Sequence, residues 1–340
     1  MYLSYIKDSV LVIVSFLVVS LCANCQSSRS FITFDPAQNG ARAKHIVLVS
    51  GDEEYRSEEG LPMLAKILST HHGFRTTVVF AINPESGMID PNYQNNIPGL
   101  ESLETADLMI IATRFRGLPD EQMKYIDDYL RAGKPVIGLR TATHAFNFKD
   151  SSGKFAKYSY NSQFPGWEGG FGRKILGETW INHHGHHGHE GTRGLIDGLA
   201  ERRKHPVITG VHDIWGPTDV YGITEVPQGA EVLIWGGSTS GMTPESPISW
   251  KKSIIPVAWT KTYSYEPGGH TGRVFTTTMG AATDLVNADL RRLIINAAYW
   301  TMGLDDQIDE NLNVDVIGEY TPTSFGFDGY VKGKTPQDYE

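Results

Sequence analysis

Cysteine is almost missing from this sequence. Of its 340 residues only Cys22 and Cys25 are cysteines, and residues 26–340 contain none. Over that stretch a disulfide, a thiolate metal site and a cysteine nucleophile are all excluded. The G-x-S-x-G pattern of a serine hydrolase elbow is absent as well. An enzyme built from this chain would therefore use neither a cysteine nor a serine nucleophile of these kinds.

Positive charge is also in short supply. The 30 lysines and arginines are outnumbered by 39 acidic residues, which gives a formal net charge of -9. No run of basic residues could follow a phosphate backbone, so nucleic acid is not an expected partner. An acidic excess of this size favours solubility and does not identify a substrate.

The one long apolar run is VLVIVSFLVVSLCA at residues 10–23, which follows Lys7. It is shorter than the roughly 20 residues that span a bilayer, and its length is typical of a signal-peptide core. We therefore predict a signal peptide over residues 1–25 and export to the periplasm or the cell surface, with no membrane span after signal removal. A retained anchor and a lipid anchor at Cys22 or Cys25 are the alternatives.

The rest of the chain is predicted to form one domain, residues 44–304, between a linker (26–43) and a polar C-terminal tail (305–340). Apolar runs predict four strands in the first half: HIVLVSG (45–51), RTTVVFAI (75–82), DLMIIAT (107–113) and PVIGLR (135–140). Amphipathic spacing predicts helices over 57–73, 118–134 and 287–303. Later strand signals are HPVITGV (205–211), AEVLIWG (230–236), IPVAWT (255–260) and GRVFTTT (272–278).

Strands that alternate with helices predict an α/β fold, a doubly wound and mostly parallel sheet with helices on both faces. In such sheets ligands bind beyond the carboxyl ends of the strands. The segments that follow the first, third and fourth predicted strands are densely polar. They contain Glu53, Glu54, Arg56, Glu59, Arg114, Arg116, Arg140, Thr141 and His144.

These residues form a candidate substrate site. Arginine offers several donors in a fixed fork, so a clamp on an anion or on hydroxyl groups is one interpretation, and structural ion pairing is the other. An extended chain would direct only one of the adjacent Glu53 and Glu54 inward. The predicted substrate-binding residues are Glu53, Arg56, Arg114, Arg116, Arg140, Thr141 and Arg193. His144 is either a catalytic group or a core histidine.

The most unusual stretch is INHHGHHGHEGTRG, residues 181–194. Its glycines argue against a helix and allow imidazoles to approach one another. His183, His187 and His189 are candidate ligands of a divalent metal such as zinc. His187, His189 and Glu190, together with His144, are the candidate acid–base groups, and Arg193 could pair with them. A loop that uses its histidines only for hydrogen bonds is the third alternative.

Several segments in a fixed order resemble the ThuA-like family, which is named for trehalose utilisation. They are VLVSGDEEYRSEE, LMIIATRFRGLPDEQM, AGKPVIGLRTATHAF, HPVITGV, GRVFTTTMG and LRRLIINAAYWTMG. The resemblance implies a class I glutamine amidotransferase-like fold, a flavodoxin-like three-layer sandwich. It also implies a role in carbohydrate metabolism, often in pathways through 3-keto sugars. One departure is DVYGIT (219–224), which stands where many members carry a DELY-like segment.

Amidotransferase relatives carry a cysteine nucleophile in the turn that is GLRT here, and Arg140 takes its place, so glutaminase activity is not expected. We expect instead a carbohydrate-active hydrolase, lyase or isomerase that acts on a sugar or a 3-keto sugar. Histidines would move the protons and arginines would stabilise negative charge. A metal-dependent hydrolase and a non-catalytic carbohydrate-binding protein are the alternatives.

Overall fold

Continuous apolar runs form the strands of a large sheet in the computed structural model, which describes residues 29–36, 44–223, 226–227 and 229–340. In chain order the strands are β1 (Phe31–Phe34), β2 (His45–Gly51), β3 (Arg75–Val79), β4 (Leu108–Thr113), β5 (Val136–Leu139), β6 (Asn182–His183), β7 (Thr192–Ile196), β8 (Trp215–Gly216), β9 (Tyr221–Gly222), β10 (Glu231–Ser238), β11 (Ile255–Ser264) and β12 (Thr271–Thr277). The α-helices are α1 (Ser57–Thr70), α2 (Asp120–Arg131), α3 (Gly198–Arg202) and α4 (Ala288–Thr301).

Ten of these strands make one sheet in the order β1-β3-β2-β4-β5-β12-β11-β10-β7-β8. Its centre, from β3 to β12, is parallel, and antiparallel strands extend both sides. Strands β2, β4 and β5 are buried along their whole length, which explains their lack of polar alternation. The remaining two strands, β6 and β9, form a small separate sheet.

Helices cover both faces of the parallel centre. Alternate side chains of β2 enter different cores: Ile46 and Leu48 pack with α1 and α4, whereas Val47 and Val49 pack on the side of α2. The predicted doubly wound α/β fold is therefore confirmed.

Two local predictions differ from the structure. Residues 31–34 lie in the predicted linker, but they form β1, an edge strand that pairs antiparallel with β3. The segment HPVITGV contains a short 3-10 helix, Pro206–Ile208, in place of a strand. Pro206 lacks an N–H for a ladder, and the His205 ring accepts a hydrogen bond from the Val207 N–H, which caps the turn.

The predicted signal peptide, with Cys22 and Cys25, lies outside the described residues. Within the part of the chain that the structure describes, no helix combines the length and the apolar character needed to cross a bilayer.

The predicted tail, residues 305–340, packs against the domain. Val314 is buried in the core formed with α1 and α4, and its carbonyl accepts a hydrogen bond from Arg291 Nε at 2.9 Å. At the far end, the Tyr339 ring stacks on Phe80 with ring centroids 6.0 Å apart. The tail is therefore part of the folded body.

Candidate functional site

Three strands of the parallel centre end in strained turns at the same edge of the sheet. Arg56, Phe115 and Arg140 follow β2, β4 and β5, and their φ angles are 59°, 49° and 44°. A residue other than glycine in this left-handed region costs of order 1–3 kcal/mol, and such residues concentrate at functional sites. This is also the edge where ligands of parallel sheets bind.

Two histidines of the glycine-rich tract converge here on one carboxylate. His183 Nδ1 lies 2.7 Å from Asp219 Oδ2, and His187 Nδ1 lies 3.1 Å from Asp219 Oδ1. An ionised carboxylate only accepts hydrogen bonds, so both Nδ1 atoms must donate. The pairing of β6 with β9 sets this geometry, because it aligns His183 with Tyr221. A side chain at Gly185 would bring its Cβ within 2.8 Å of Asp219 Cβ, so this approach requires glycine.

Asp219 is fully buried, and a buried arginine fixes it from behind. Arg140 donates to Asp219 Oδ1 at 3.0 Å and to the Asp219 carbonyl at 2.7 Å. Burial alone would raise the pKa of Asp219, but the hydrogen bond from His183 and the charge of Arg140 outweigh it and lower the pKa to about 2. The carboxylate therefore stays ionised. The Arg140 guanidinium also lies over the Tyr221 and Tyr55 rings, 3.7 Å and 4.4 Å from their centroids.

A second carboxyl group contacts the same cluster. Glu54 Oε1 lies 3.2 Å from His187 Nε2, so His187 bridges Asp219 and Glu54. Burial raises the pKa of Glu54, against the opposing charge of Arg114, whose Nε lies 3.4 Å from Glu54 Oε2. Glu54 can therefore carry a proton toward His187 more readily than an exposed glutamate could.

Aromatic rings surround the cluster. The Trp180 ring centroid lies 5.8 Å from that of His183, and Tyr55 and Tyr221 meet edge to face at 6.2 Å. Phe325, from the C-terminal tail, lies 5.6 Å from His187 between centroids. Polar groups enclosed by apolar rings are typical of small-molecule sites.

His144 is buried against two of these aromatic rings, those of Trp180 and Tyr221. Its side chain is 2% exposed, and its ring packs against Phe115, Trp180 and Tyr221 at centroid distances of 4.9 to 5.8 Å. Its burial, and to a lesser extent the positive charges of Arg114 and Arg140, lower the pKa of His144 well below the usual range. A neutral, enclosed imidazole supports the site wall. It does not fit the acid–base role predicted for it.

Three residues of the predicted site point elsewhere. The His189 ring lies 4.4 Å from the His186 ring between centroids, and Glu190 accepts hydrogen bonds from Lys252 Nζ at 2.6 Å and from the His186 N–H at 2.8 Å. Arg193 pairs with Asp213. The hydrogen bond from the His189 N–H to the His186 carbonyl turns this part of the loop away. The predicted ligands His183 and His187 lie with Asp219 in a group that could hold a metal ion, because its ligand atoms lie within 4.8 Å of one another, and His189 is not part of this group.

The predicted substrate arginines have different roles. Arg116 is fully buried, donates to the Pro91 carbonyl at 2.8 Å and pairs with Glu53, so it is structural. Glu53 also holds Arg114 Nη1 at 2.6 Å. Arg114 keeps 18% of its side chain exposed and can face a ligand.

The remaining polar residues shape the backbone of the site. Thr141 donates its hydroxyl proton to Asp52 Oδ2 at 2.6 Å. Asp52 Oδ1 accepts the N–H groups of Glu54 and Tyr55, at 2.8 Å and 3.0 Å. This turn buries both Glu53 and Glu54, contrary to the expectation for an extended chain. Arg56 binds the C-terminal tail through the Gly326 carbonyl at 2.6 Å.

A surface cavity of about 550 Å³ opens beside this edge and is lined in part by Tyr93, Gly117 and Asn147. Its lining contains neither the histidines nor Asp219. We assign the candidate site to the histidine cluster, because buried charged groups converge there, whereas the cavity is lined mainly by exposed and half-buried residues.

Sequence reasoning missed Asp219, Tyr221, Tyr55 and Phe325. The signal for Asp219 and Tyr221 was present in DVYGIT, which keeps an acidic residue and a tyrosine although it departs from the family's segment. No local pattern marks Tyr55 or Phe325 as site residues.

The chain is thus a doubly wound α/β protein with a buried arginine, Arg140, in the strained turn after β5. The family model for ThuA, described as trehalose utilisation, matches residues 46–301, and the chain belongs to this family. The family description indicates a carbohydrate-related role.

Solved structures with similar folds include two ThuA-like proteins. One, from Parabacteroides merdae, is 15% identical with a TM-score of 0.49, over 88% of this chain and 99% of that chain. The other, from Bacteroides uniformis, is 14% identical with a TM-score of 0.46, over 82% and 99%. A β-galactosidase from Rahnella sp. R3 is 12% identical with a TM-score of 0.41, over 77% of this chain and 32% of that chain. No curated protein matches the sequence.

Proposed function

We propose that this protein is an exported carbohydrate-active enzyme that acts on a sugar or a 3-keto sugar by histidine acid–base chemistry. One observation carries the proposal: His183 and His187 both donate Nδ1–H to the buried carboxylate of Asp219. A carboxylate that holds an imidazole by one nitrogen fixes its orientation and leaves the other nitrogen for proton transfer.

His183 is the proposed base. Its Nδ1 faces Asp219, so the lone pair is on Nε2, and 36% of the side chain is exposed. A ketone at C3 of a sugar acidifies the C2–H bond. His183 Nε2 would take that proton, and the electron pair would move onto the ketone oxygen as an enolate. The positive charge of Arg114, which is partly exposed, would stabilise this enolate.

His187 and Glu54 form the proposed proton-donating pair. Their side chains are 3.2 Å apart, and Glu54 has a raised pKa because it is buried. In a 3-keto glycoside the enolate can collapse by breaking the C1–O bond and forming a C1=C2 double bond. The departing oxygen would then receive the proton of the Glu54 carboxyl group, which His187 Nε2 contacts at 3.2 Å. Return of the proton to C2 from the other face would give an isomerase instead.

A metal-dependent hydrolase is the second candidate, because His183, His187 and Asp219 can also serve as a set of three metal ligands. Imidazole and carboxylate are ordinary ligands of zinc, and a catalytic zinc site keeps one position for water. In this alternative the two histidines bind the ion and do not transfer protons. Glu54 would then be the nearby base.

The test compares matched glutamine variants. His183→Gln should lower kcat on trehalose or its 3-keto derivative by about 10²- to 10⁴-fold, whereas His189→Gln should leave it unchanged. Both histidines belong to the glycine-rich stretch 181–194, so His189→Gln controls for general damage to this stretch. Full activity in His183→Gln would refute the base assignment.

Metal content separates the two candidates. Protein prepared without a histidine tag would be assayed for bound metal and for activity with and without a chelator. Stoichiometric metal that is lost in both His183→Gln and His187→Gln, with chelator-sensitive activity, would favour the hydrolase. Metal-free activity would favour acid–base chemistry. Sugar binding with no product after long incubation would show a carbohydrate-binding protein instead.

A further inference from the structure

The C-terminal segment, defined here as residues 320–330, lies beyond the family match at 46–301 but reaches the candidate site. The N–H of Gly326 donates to the Glu54 carbonyl at 2.8 Å. Arg56 donates from Nη2 to the Gly326 carbonyl at 2.6 Å and from Nε to Thr323 Oγ1 at 3.2 Å. The segment is therefore bonded to the same turn that supplies Glu54 and Tyr55.

The first turn of α1 adds a second anchor. Glu59 accepts the Thr323 N–H and the Thr323 hydroxyl, each at 2.7 Å. Arg56 is 1% exposed, so the hydrogen bonds that it makes to the segment are shielded from water. Its left-handed backbone, φ 59°, belongs to the turn from which its side chain reaches the segment. The anchored residues, Thr323 and Gly326, lie on either side of Phe325 in the chain and fix the position of its ring.

Two phenylalanines of the segment face residues of the site. The Phe325 ring stacks on Tyr55 at 5.7 Å with an interplanar angle of 26°, and it lies 5.6 Å from His187. The Phe327 ring lies 5.0 Å from the Arg114 guanidinium. Phe325 is only partly buried, so the ring retains surface that a ligand can cover.

We infer that Phe325 is a sugar-contacting residue and that the C-terminal segment forms one wall of the substrate site. This inference rests on the proposed function. The C–H faces of a sugar ring are apolar and pack on aromatic rings, and Phe325 offers such a surface beside His187. The ring also covers part of His187, whose side chain remains 35% exposed, and a bound sugar would cover more of it and strengthen its interactions with Asp219 and Glu54. Arg56, predicted from the sequence as a substrate ligand, is a positioning residue for this wall.

The test uses two aromatic truncations in the same part of the chain. Phe325→Ala removes the ring stacked on Tyr55, and Tyr339→Ala removes a ring stacked in the same way on Phe80, at 6.0 Å and 21°. KM, kcat and sugar binding by calorimetry would be compared with the parent protein. We expect Phe325→Ala to raise KM and the dissociation constant about tenfold, and Tyr339→Ala to change neither. Phe325→Trp should restore binding.

Each outcome has a distinct meaning. If the parent protein binds or converts sugars and Phe325→Ala has the same KM and dissociation constant, the inference is overturned and the proposed function is left intact. A parent protein that binds sugars through Phe325 without turnover would support the inference and overturn the enzyme proposal. A parent protein that neither binds nor converts sugars would overturn both. An equal loss in Tyr339→Ala would show that only docking of the tail matters, and would also overturn the direct contact.

Discussion

Glu58 is a buried acid that should make the stability of the fold depend on pH. It lies in the first turn of α1, is 2% exposed, and neither carboxyl oxygen has a hydrogen-bond partner among the described residues. Burial raises its pKa from 4.5 to about 8. The group is therefore protonated in the folded protein at neutral pH, whereas it is ionised in the unfolded chain.

The sign and size of the effect follow from this difference. Because the pKa of Glu58 is raised in the folded state, its stabilising contribution to the free energy of unfolding is fully present below about pH 4.5. This contribution is lost as the pH rises to about 8. Each pH unit in this window lowers the free energy of unfolding by about 1.4 kcal/mol. Between pH 5 and pH 7 the loss is about 3 kcal/mol, a large part of a typical domain's stability.

Glu58→Gln removes the ionisation and keeps the shape of the side chain. Urea denaturation of parent and variant at pH 5, 6 and 7 should show the variant gaining about 3 kcal/mol relative to the parent across this range. Glu121→Gln, at an exposed first-turn position of α2, is the control and should show no such trend. A constant difference between Glu58→Gln and the parent from pH 5 to pH 7 would refute the reasoning, since Glu58 would then titrate as an exposed glutamate.

Two further predictions test the site and the tail. Asp219→Asn should lower the free energy of unfolding by about 3–5 kcal/mol, because it leaves the buried charge of Arg140 without its partner; a loss below about 1 kcal/mol in urea denaturation would contradict this ion pair. Arg56→Met should speed amide hydrogen exchange across residues 320–330, because it removes the hydrogen bonds that Arg56 donates to Gly326 and Thr323. Unchanged exchange, measured by mass spectrometry, would show that other contacts hold the segment.

The parallel half of the fold was predictable because its signals are local. Strands β2 and β4 are continuous apolar runs, and the amphipathic spacing of α2 matches its buried face. The segment HPVITGV was wrongly predicted as a strand because its β-branched residues favour strands. Its conformation is instead set by Pro206 and by the His205 ring, which caps the short 3-10 helix. Strand β1 was missed because its pairing with β3, which lies more than 40 residues further along the chain, is not a property of its own four residues.

The edge of the sheet at which the candidate site lies was predictable from the sequence, but the residues that its side chains contact were not. The carboxyl edge of the sheet collects the residues that follow β2, β4 and β5, as the fold rule requires. Whether an arginine there meets a ligand or a neighbour depends on contacts that are distant in the sequence. Arg116 meets the Pro91 carbonyl, Arg56 meets Gly326, and His183 meets Asp219, which is 36 positions away. No spacing rule encodes these pairs.

The turn at Arg140 shows how the proposed acid–base chemistry would differ from that of a protein with a nucleophile in this turn. The strained turn after β5 projects a side chain at the binding edge, where the family resemblance implies a nucleophile in amidotransferases. This chain keeps the strain, with φ 44° at Arg140, but the side chain there cannot attack a substrate. Its guanidinium holds Asp219 instead, and Asp219 orients the two histidines. In the proposed function the reactive groups would therefore lie in the glycine-rich loop and not in the turn, and the turn would supply the charge that fixes them.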